Sequence, residues 1–227
     1  MEDAALRLLH EALIWAPTLQ AAVAGLPTAD GPLLQLETAL GRVVIGSAGP
    51  DVFEGDLLLA IDPGGADRWT GSAGSNVGIA GRAALALDLG GADAYTATRP
   101  HTQGAGFLGV GVLVDAGPEG DRYEGATHAQ GAGFMGAGIL WDQGGDDSFV
   151  ADAFAQGAGT FGLGLLVDVA GSDTVAARAR AQGFGSTGGL GTLIDLAGND
   201  TRRVGVAGSD RFEPGGGGGQ GCGFGTR

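Results

Sequence analysis

The chain of 227 residues contains no lysine, so its twelve basic residues are all arginines, and they face 26 acidic residues. The formal net charge of −14 argues against a nucleic-acid or anionic-membrane partner, since binding phosphate groups needs clustered cations. Cysteine is also scarce, and the single Cys222 cannot form an internal disulfide bond that would indicate a redox compartment. An acidic chain of this kind is instead expected to attract cations.

Long apolar runs are missing as well. No run reaches the roughly 20 residues that span a bilayer, which predicts no membrane insertion. The first three residues, Met1-Glu2-Asp3, lack the positive region of a signal peptide. What the chain does have is glycine, with 48 residues, together with 44% apolar residues, which is too many for simple disorder.

A short phrase recurs along the chain and determines the predicted architecture. It consists of an apolar residue, an aspartate, a glycine-containing turn and a second aspartate, and its first aspartates are 26 or 27 residues apart. The first aspartates are Asp62, Asp88, Asp115, Asp142, Asp168 and Asp195, and the second are Asp67, Asp93, Asp121, Asp147, Asp173 and Asp200. Repeats of this length are typical of solenoids, in which each unit buries its apolar face against its neighbours.

The residues before each first aspartate predict a strand that is buried on both faces. In the segment 109–114, one alternate set of residues is valine, and the other contains two glycines and Leu113. Neither set is polar, as expected where both faces are covered, and the paired glycines predict close approach by another backbone. A coil of this length has room for two or three strands, so the predicted fold is all-β, a parallel β-helix.

The two ends of the chain depart from the repeat. Residues 3–24 have leucines and alanines at helical spacing, which predicts an amphipathic helix that covers the open end of the solenoid. The apolar run 33–44 fits a short helix or a first strand. The predicted organisation is an N-terminal helical cap, residues 1–42, and a β-solenoid, residues 43–227. Its last coil, which begins at Gln220, is incomplete, as in a fragment or in a stack that another chain completes.

Stacked coils would place each family of aspartates in a column, with one carboxylate about 4.8 Å from the next. Like charges at that spacing repel each other and need compensation. Two explanations stay open. Backbone N–H groups of the turns satisfy the carboxylates, or all twelve repeat aspartates are ligands of Ca²⁺, which prefers oxygen.

A resemblance supports the calcium hypothesis. The turn Asp-x-Gly-Gly-x-Asp at 62–67 and 88–93 resembles, over about six residues per coil, the Gly/Asp loops of calcium-binding β-roll proteins, although the period differs. From about residue 46 to 227 the chain resembles bacterial Gly/Asp-rich β-solenoid repeat proteins as a class. Bound calcium would favour an extracellular or cell-surface location.

Two further columns follow from the repeat. The phrase Gln-Gly-x-Gly at Gln103, Gln130, Gln156 and Gln182 predicts an amide ladder that pairs side chain to side chain along the stack. Residues two and four positions before these glutamines vary between coils and include Arg99, His101, His128, Asp152 and Arg178. We call these five residues the His/Arg stripe. It is either a solvated face or a groove for an acidic or sugar ligand, the latter by analogy with β-helix enzymes that act on polysaccharides.

The sequence therefore favours a non-enzymatic structural or surface protein, with Ca²⁺ as its candidate cofactor. It is expected to self-associate into a homo-oligomer or filament, because solenoid edges are templates for strand addition. The alternative function is a polysaccharide-binding or polysaccharide-cleaving β-helix protein. The sequence contains no phosphate-binding loop, catalytic triad order or zinc motif.

Overall fold

The chain folds into a β-solenoid of about five turns with one N-terminal helix. The computed structural model describes residues 1–29, 31–76 and 82–205. Within these ranges, helix α1 (Glu2–Val23) is followed by 18 strands. In chain order they are β1 (Leu34–Thr38), β2 (Gly41–Ile45), β3 (Val52–Phe53), β4 (Leu57–Asp62), β5 (Arg68–Trp69), β6 (Ala83–Asp88), β7 (Ala94–Thr96), β8 (Gly106–Phe107), β9 (Val110–Asp115), β10 (Arg122–Gly125), β11 (Gly133–Phe134), β12 (Ala137–Asp142), β13 (Ser148–Ala153), β14 (Gly159–Thr160), β15 (Leu163–Asp168), β16 (Thr174–Ala179), β17 (Leu190–Asp195) and β18 (Thr201–Val204).

Three sheets run along the solenoid, and the central turns contribute one strand to each. The first sheet has the order β1-β2-β4-β6-β9-β12-β15-β17, the second β18-β16-β13-β10-β7-β5-β3, and the third β14-β11-β8. The hairpin β1–β2 is antiparallel, and the other strand pairs are parallel. Equivalent residues pair with each other, as Asp115 does with Asp142. The predicted all-β parallel β-helix is confirmed.

The core lies between the first and second sheets and runs the length of the solenoid. Leu113 and Leu140 face inward from the first sheet, and the aromatic residues of the second sheet pack in the same cluster. The rings of Tyr95, Tyr123 and Phe149 stack from turn to turn, with 4.6 Å between successive ring centroids. Because the repeats are in register, each side chain packs on its own counterpart.

Helix α1 lies on the side of the solenoid, across the outer face of β6, β9 and β12. Its small apolar residues, such as Ala5 and Ala12, are buried in one cluster with Val112 of β9. The sequence predicts this helix over the end of the solenoid, whereas the outer valines of the central strands give it a longer apolar surface to cover. This explains why all six residues of β9 are buried. Among the described residues, no helix is both long and apolar enough to cross a membrane.

The run 33–44 forms strands, which decides between its two predicted conformations. Strands β1 and β2 make a hairpin, and the predicted boundary between residues 42 and 43 falls inside β2. Strand β1 is the edge of the first sheet as far as the chain is described, and all five of its residues are exposed. The predicted incomplete coil at Gln220 lies outside the described residues.

The predicted close approach at the paired glycines is confirmed. A Cβ atom on Gly111 would lie 2.1 Å from the carbonyl oxygen of Ala105, and one on Gly138 would lie 2.1 Å from that of Ala132. Both neighbours belong to the segment that leads into the third sheet. Glycine is therefore required on the inner face of the first sheet, where the backbone of the same coil passes against the strand.

Candidate metal centre

Two columns of aspartates line the corner between the first and second sheets. The strand-end aspartates, each the last residue of a first-sheet strand, are Asp62, Asp88, Asp115, Asp142, Asp168 and Asp195. The corner aspartates, which precede the second-sheet strands, are Asp51, Asp67, Asp93, Asp121, Asp147, Asp173 and Asp200. All of them except Asp200 are buried, with at most 4% of the residue exposed.

From Asp67 onwards, the carboxylate of each corner aspartate accepts a hydrogen bond from the backbone of the preceding coil, whereas Asp51 accepts one from the N–H of Ser47. The N–H of Asp67 donates to Oδ1 of Asp93 at 2.5 Å, and the N–H of Asp93 donates to Oδ1 of Asp121 at 2.6 Å. The same bond recurs along the column from Asp51 to Asp200. Backbone compensation, one of the two explanations left open by the sequence, is thus confirmed for one oxygen of each corner carboxylate.

Four of the strand-end aspartates cap the turn that follows them. Oδ2 of Asp62 accepts the N–H of Gly64 at 2.8 Å, and Oδ1 of Asp142 accepts the N–H of Gly144 at 2.9 Å. Asp88 and Asp115 make the equivalent bond two residues on. Short Asp side chains favour this local turn, and Gly64 has a φ of +134°, which glycine adopts without strain.

Two tyrosines connect the central strand-end aspartates. The hydroxyl of Tyr95 lies 2.7 Å from Oδ2 of Asp88 and 2.9 Å from Oδ2 of Asp115. The hydroxyl of Tyr123 lies 3.0 Å from the same oxygen of Asp115 and 2.6 Å from Oδ2 of Asp142. Two phenols supply only two protons for these four contacts. The second contact of each phenol is therefore a full hydrogen bond only where the carboxyl group carries a proton.

The two columns interleave as five triads of carboxylates. Within each triad, one oxygen from every member lies within 4.8 Å of the others. The triads are Asp51–Asp62–Asp67, Asp67–Asp88–Asp93, Asp93–Asp115–Asp121, Asp121–Asp142–Asp147 and Asp147–Asp168–Asp173. Successive triads share a corner aspartate, because that residue lies between two strand-end aspartates along the axis.

Many carboxylate oxygens in these triads are buried and have no hydrogen-bond donor. They are Oδ1 of Asp51, Asp62 and Asp168, and Oδ2 of Asp67, Asp93, Asp121, Asp147 and Asp173. A buried charged oxygen without a partner is costly, and the group either takes up a proton or binds a cation. Of the ion pairs in the described part of the chain, only that between Arg202 and Asp195 reaches either column.

Burial makes these carboxyl groups weak acids. Burial, together with contact with the Asp67 carboxyl group, raises the pKa of Asp62 to about 10. Burial likewise raises the pKa of Asp121 to about 10 and those of Asp93 and Asp147 to about 7. The charged form is therefore strongly disfavoured in the absence of a cation.

Ten of the twelve predicted aspartates lie in triads, and the other two do not. Asp195 is hydrogen-bonded to Arg202. Arg202 stands two residues after a corner aspartate, at the position that is aromatic in the coils of Trp69 to Phe149 and is called the aromatic position below. Asp200 is partly exposed. Asp51 belongs to the first triad although the prediction omitted it. The signal for Asp51 was present in the sequence, because Gly49-Pro50-Asp51-Val52-Phe53 is an early copy of the repeat turn. The contact of Tyr95 and Tyr123 with the aspartates was also not predicted.

The glutamines form a different column from the predicted one. Nε2 of Gln130 donates to the carbonyl oxygens of Tyr123 and Val150, at 3.0 Å and 2.9 Å, in two successive coils. Gln103, Gln156 and Gln182 repeat this pattern. The predicted pairing between side chains is therefore wrong, because backbone carbonyls take both amide protons. The Oε1 atoms of Gln103, Gln130 and Gln156 are buried without a donor.

The His/Arg stripe divides into separate contacts. The imidazoles of His101 and His128 stack with 5.0 Å between centroids, and burial together with His128 lowers the pKa of His101 to about 4. Asp152 forms an ion pair with Arg178, whereas Arg99 forms one with Asp56. The use of this stripe as a ligand groove stays a prediction.

Comparison with protein-family models, with curated proteins and with solved structures finds no match for this chain. The resemblance to bacterial Gly/Asp-rich β-solenoids therefore extends, as far as it is confirmed, to the β-solenoid fold. Function has to be inferred from the aspartate columns and from the exposed surfaces of the solenoid.

Proposed function

We propose that this protein is a non-enzymatic structural β-solenoid whose aspartate columns bind calcium, and that the bound ions stabilise the fold. The main support is the set of buried carboxylate triads, whose unpartnered oxygens have no basic side chain beside them in the described residues. A divalent cation would neutralise two carboxylates at once. It would also supply the missing partner for oxygens that the backbone leaves unsatisfied.

The shape of the triads suits calcium better than smaller ions. Ca²⁺ binds oxygen at about 2.3–2.6 Å in flexible arrangements, so oxygens on opposite sides of the ion lie about 5 Å apart. The triad oxygens, within 4.8 Å of one another, fall inside that limit. Each carboxylate brings one oxygen to its triad, and backbone carbonyls of the glycine turns would have to supply the remaining oxygen ligands that Ca²⁺ takes. Mg²⁺ demands a tighter octahedron and keeps several waters, for which a buried corner is poorly suited.

Calorimetric titration of chelator-treated protein with calcium, combined with thermal denaturation, tests the proposal. We expect heat of binding and a melting temperature that is higher in millimolar calcium than in chelator, because an ion that binds only the folded state stabilises it. Asp147→Asn should reduce this rise, since Asp147 belongs to two triads. Asp146→Asn is the matched control, because Asp146 is the adjacent residue and is exposed. If calcium produced neither heat nor a shift in melting temperature, protons would be the compensating charges and the proposal would be wrong.

We further propose that two copies associate through strand β1. This edge strand has no neighbour on its outer side in the described residues, and Leu36 on it is 52% exposed. It carries neither proline nor lysine, which natural edge strands use to prevent pairing. In an antiparallel pair centred on Leu36, Glu37 of one copy would lie opposite Gln35 of the other, so that no like charges would meet.

Sedimentation velocity over a range of concentrations tests this association. We expect a dimer for the wild type and a monomer for Leu36→Lys, which places a charge at the centre of the strand pair. Leu40→Lys is the matched control, because Leu40 is also exposed but lies in the hairpin turn. A wild type that remains monomeric at every concentration would show that the edge does not pair.

A further inference from the structure

The five triads are not equivalent, and the difference lies in their strand-end aspartates. Asp88, Asp115 and Asp142 have both carboxylate oxygens in hydrogen bonds, one to a glycine N–H and one to a tyrosine hydroxyl. Asp62 and Asp168 each have a buried oxygen with no donor. The strand-end oxygen is therefore free in the first and last triads and occupied in the three between.

All three members of the first and last triads contribute an unpartnered oxygen. In the first triad these are Oδ1 of Asp51, Oδ1 of Asp62 and Oδ2 of Asp67. In the last they are Oδ2 of Asp147, Oδ1 of Asp168 and Oδ2 of Asp173. Every one of these six residues is at least 97% buried, so the unpartnered oxygens lie in the interior of the corner.

The residue at the aromatic position of each coil determines whether the second oxygen of a strand-end aspartate is hydrogen-bonded. Tyr95 and Tyr123 reach the strand-end aspartate of their own coil and that of the next. Trp69 and Phe149 stand at the equivalent positions in the second sheet and have no hydroxyl. The absence of a phenol at Trp69 leaves Asp62 free, and its absence at Phe149 leaves Asp168 free.

We propose that the solenoid holds two calcium ions, one in Asp51–Asp62–Asp67 and one in Asp147–Asp168–Asp173, and that Tyr95 and Tyr123 close the three central triads to cations. This inference rests on the proposed calcium binding and specifies where it occurs. The two sites share no residue, so both fill without competing for a carboxylate. The tyrosines act as specificity-determining residues, since their protons take the place that a cation would hold.

The ion count of wild type and variants tests the assignment. Calorimetric titration of chelator-treated full-length protein with calcium should give two ions for the wild type and one for Asp62→Asn. Phe149→Tyr should also give one, because the added hydroxyl would lie between Asp142 and Asp168 as the hydroxyl of Tyr123 lies between Asp115 and Asp142. Asp146→Asn, on the exposed surface, should keep two.

The double variant Tyr95→Phe/Tyr123→Phe tests whether the tyrosine hydroxyls keep calcium out of the central triads, because it should create an additional calcium site. Removing both hydroxyls frees Asp115, and the central triad Asp93–Asp115–Asp121 shares no residue with either terminal site. We expect three ions, with circular dichroism and a cooperative melt confirming that each variant is folded.

The possible results separate this inference from the proposed function. Two ions in the wild type, one in Phe149→Tyr and three in the double variant would support it. Five ions in the wild type would overturn it while leaving calcium binding intact. The same conclusion would follow if Phe149→Tyr and Tyr95→Phe/Tyr123→Phe both bound as many ions as the wild type. No bound calcium in any folded variant would overturn both.

Discussion

The carboxyl groups of Asp62 and Asp121 show how much burial changes an acid in this protein. Each has a pKa of about 10 in the folded chain, against an ordinary value of 3.8. In the unfolded chain the same groups are in water and titrate normally. Between these two values, the metal-free folded state therefore binds more protons than the unfolded state.

This difference predicts an unusual dependence of stability on pH. A raised folded-state pKa contributes stability that is complete below the unfolded pKa and is lost as pH rises through the folded pKa. The loss should begin above pH 3.8 and continue through about 7 for Asp93 and Asp147 to about 10 for Asp62. In chelator, the melting temperature should be higher near pH 5 than near pH 8, and calcium should reduce the difference. A higher melting temperature near pH 8 in chelator would contradict this reading of the columns.

Gln130 connects two successive coils through its side-chain amide. Its amide donates to two backbone carbonyls, one buried and one partly buried, and Gln130→Leu would remove both hydrogen bonds. Each such loss costs about 1–3 kcal/mol of unfolding free energy. Urea denaturation should show a clear decrease for this variant. Gln143→Leu is the control, because Gln143 is exposed, and an equal decrease in both variants would argue against the backbone role.

The strands of the first sheet depend on glycine where the coil folds back on itself. A methyl group on Gly111 would lie 2.1 Å from a backbone carbonyl oxygen, and backbone can move little in a packed interior. Gly111→Ala should lower the unfolding free energy by more than about 3 kcal/mol. Gly25→Ala should be nearly neutral, because no atom lies within 4 Å of that position. Comparable melting temperatures for the two variants would mean that the coil can expand.

These elements also show what the sequence could predict. The period, the strands and the need for close approach at Gly111 follow from residues that repeat along the chain, so each appears several times. The side position of α1 and the contact of Tyr95 with Asp115 depend on the cross-section of the coil, which a period does not determine. The predicted pairing of Gln130 with the next glutamine is wrong for the same reason, because backbone carbonyls of the second sheet accept both of its amide protons.

In the molecule as a whole, the aspartate columns place many of the acidic residues in the interior. Twelve of the 26 acidic residues are buried in them, which leaves fourteen acidic residues against twelve arginines elsewhere. Most of the formal charge of −14 is thus absent from the surface if protons or cations neutralise the columns. The net charge of the folded protein is then close to zero, although its composition is acidic.

This predicts that folding changes the isoelectric point. The unfolded chain should focus near the composition value of 4.3, whereas the chelator-treated native protein should focus about one pH unit or more higher, because its buried carboxyl groups keep their protons. Isoelectric focusing in the presence and absence of urea measures both values. Coincident bands would mean that the columns are ionised in the folded state.

Strands β9, β12 and β15 pair through the same six positions. Because of this register, a whole coil can be deleted or duplicated without changing how the remaining strands pair. Deleting residues 116–142 would bring Asp115 beside Asp168, in the place that Asp142 now holds, and would shorten the solenoid by one strand spacing of about 4.8 Å. The same deletion would remove one strand-end and one corner aspartate. Tandem duplication of the same segment would do the reverse. The length of the solenoid and its number of buried aspartates would therefore increase together with the number of coils.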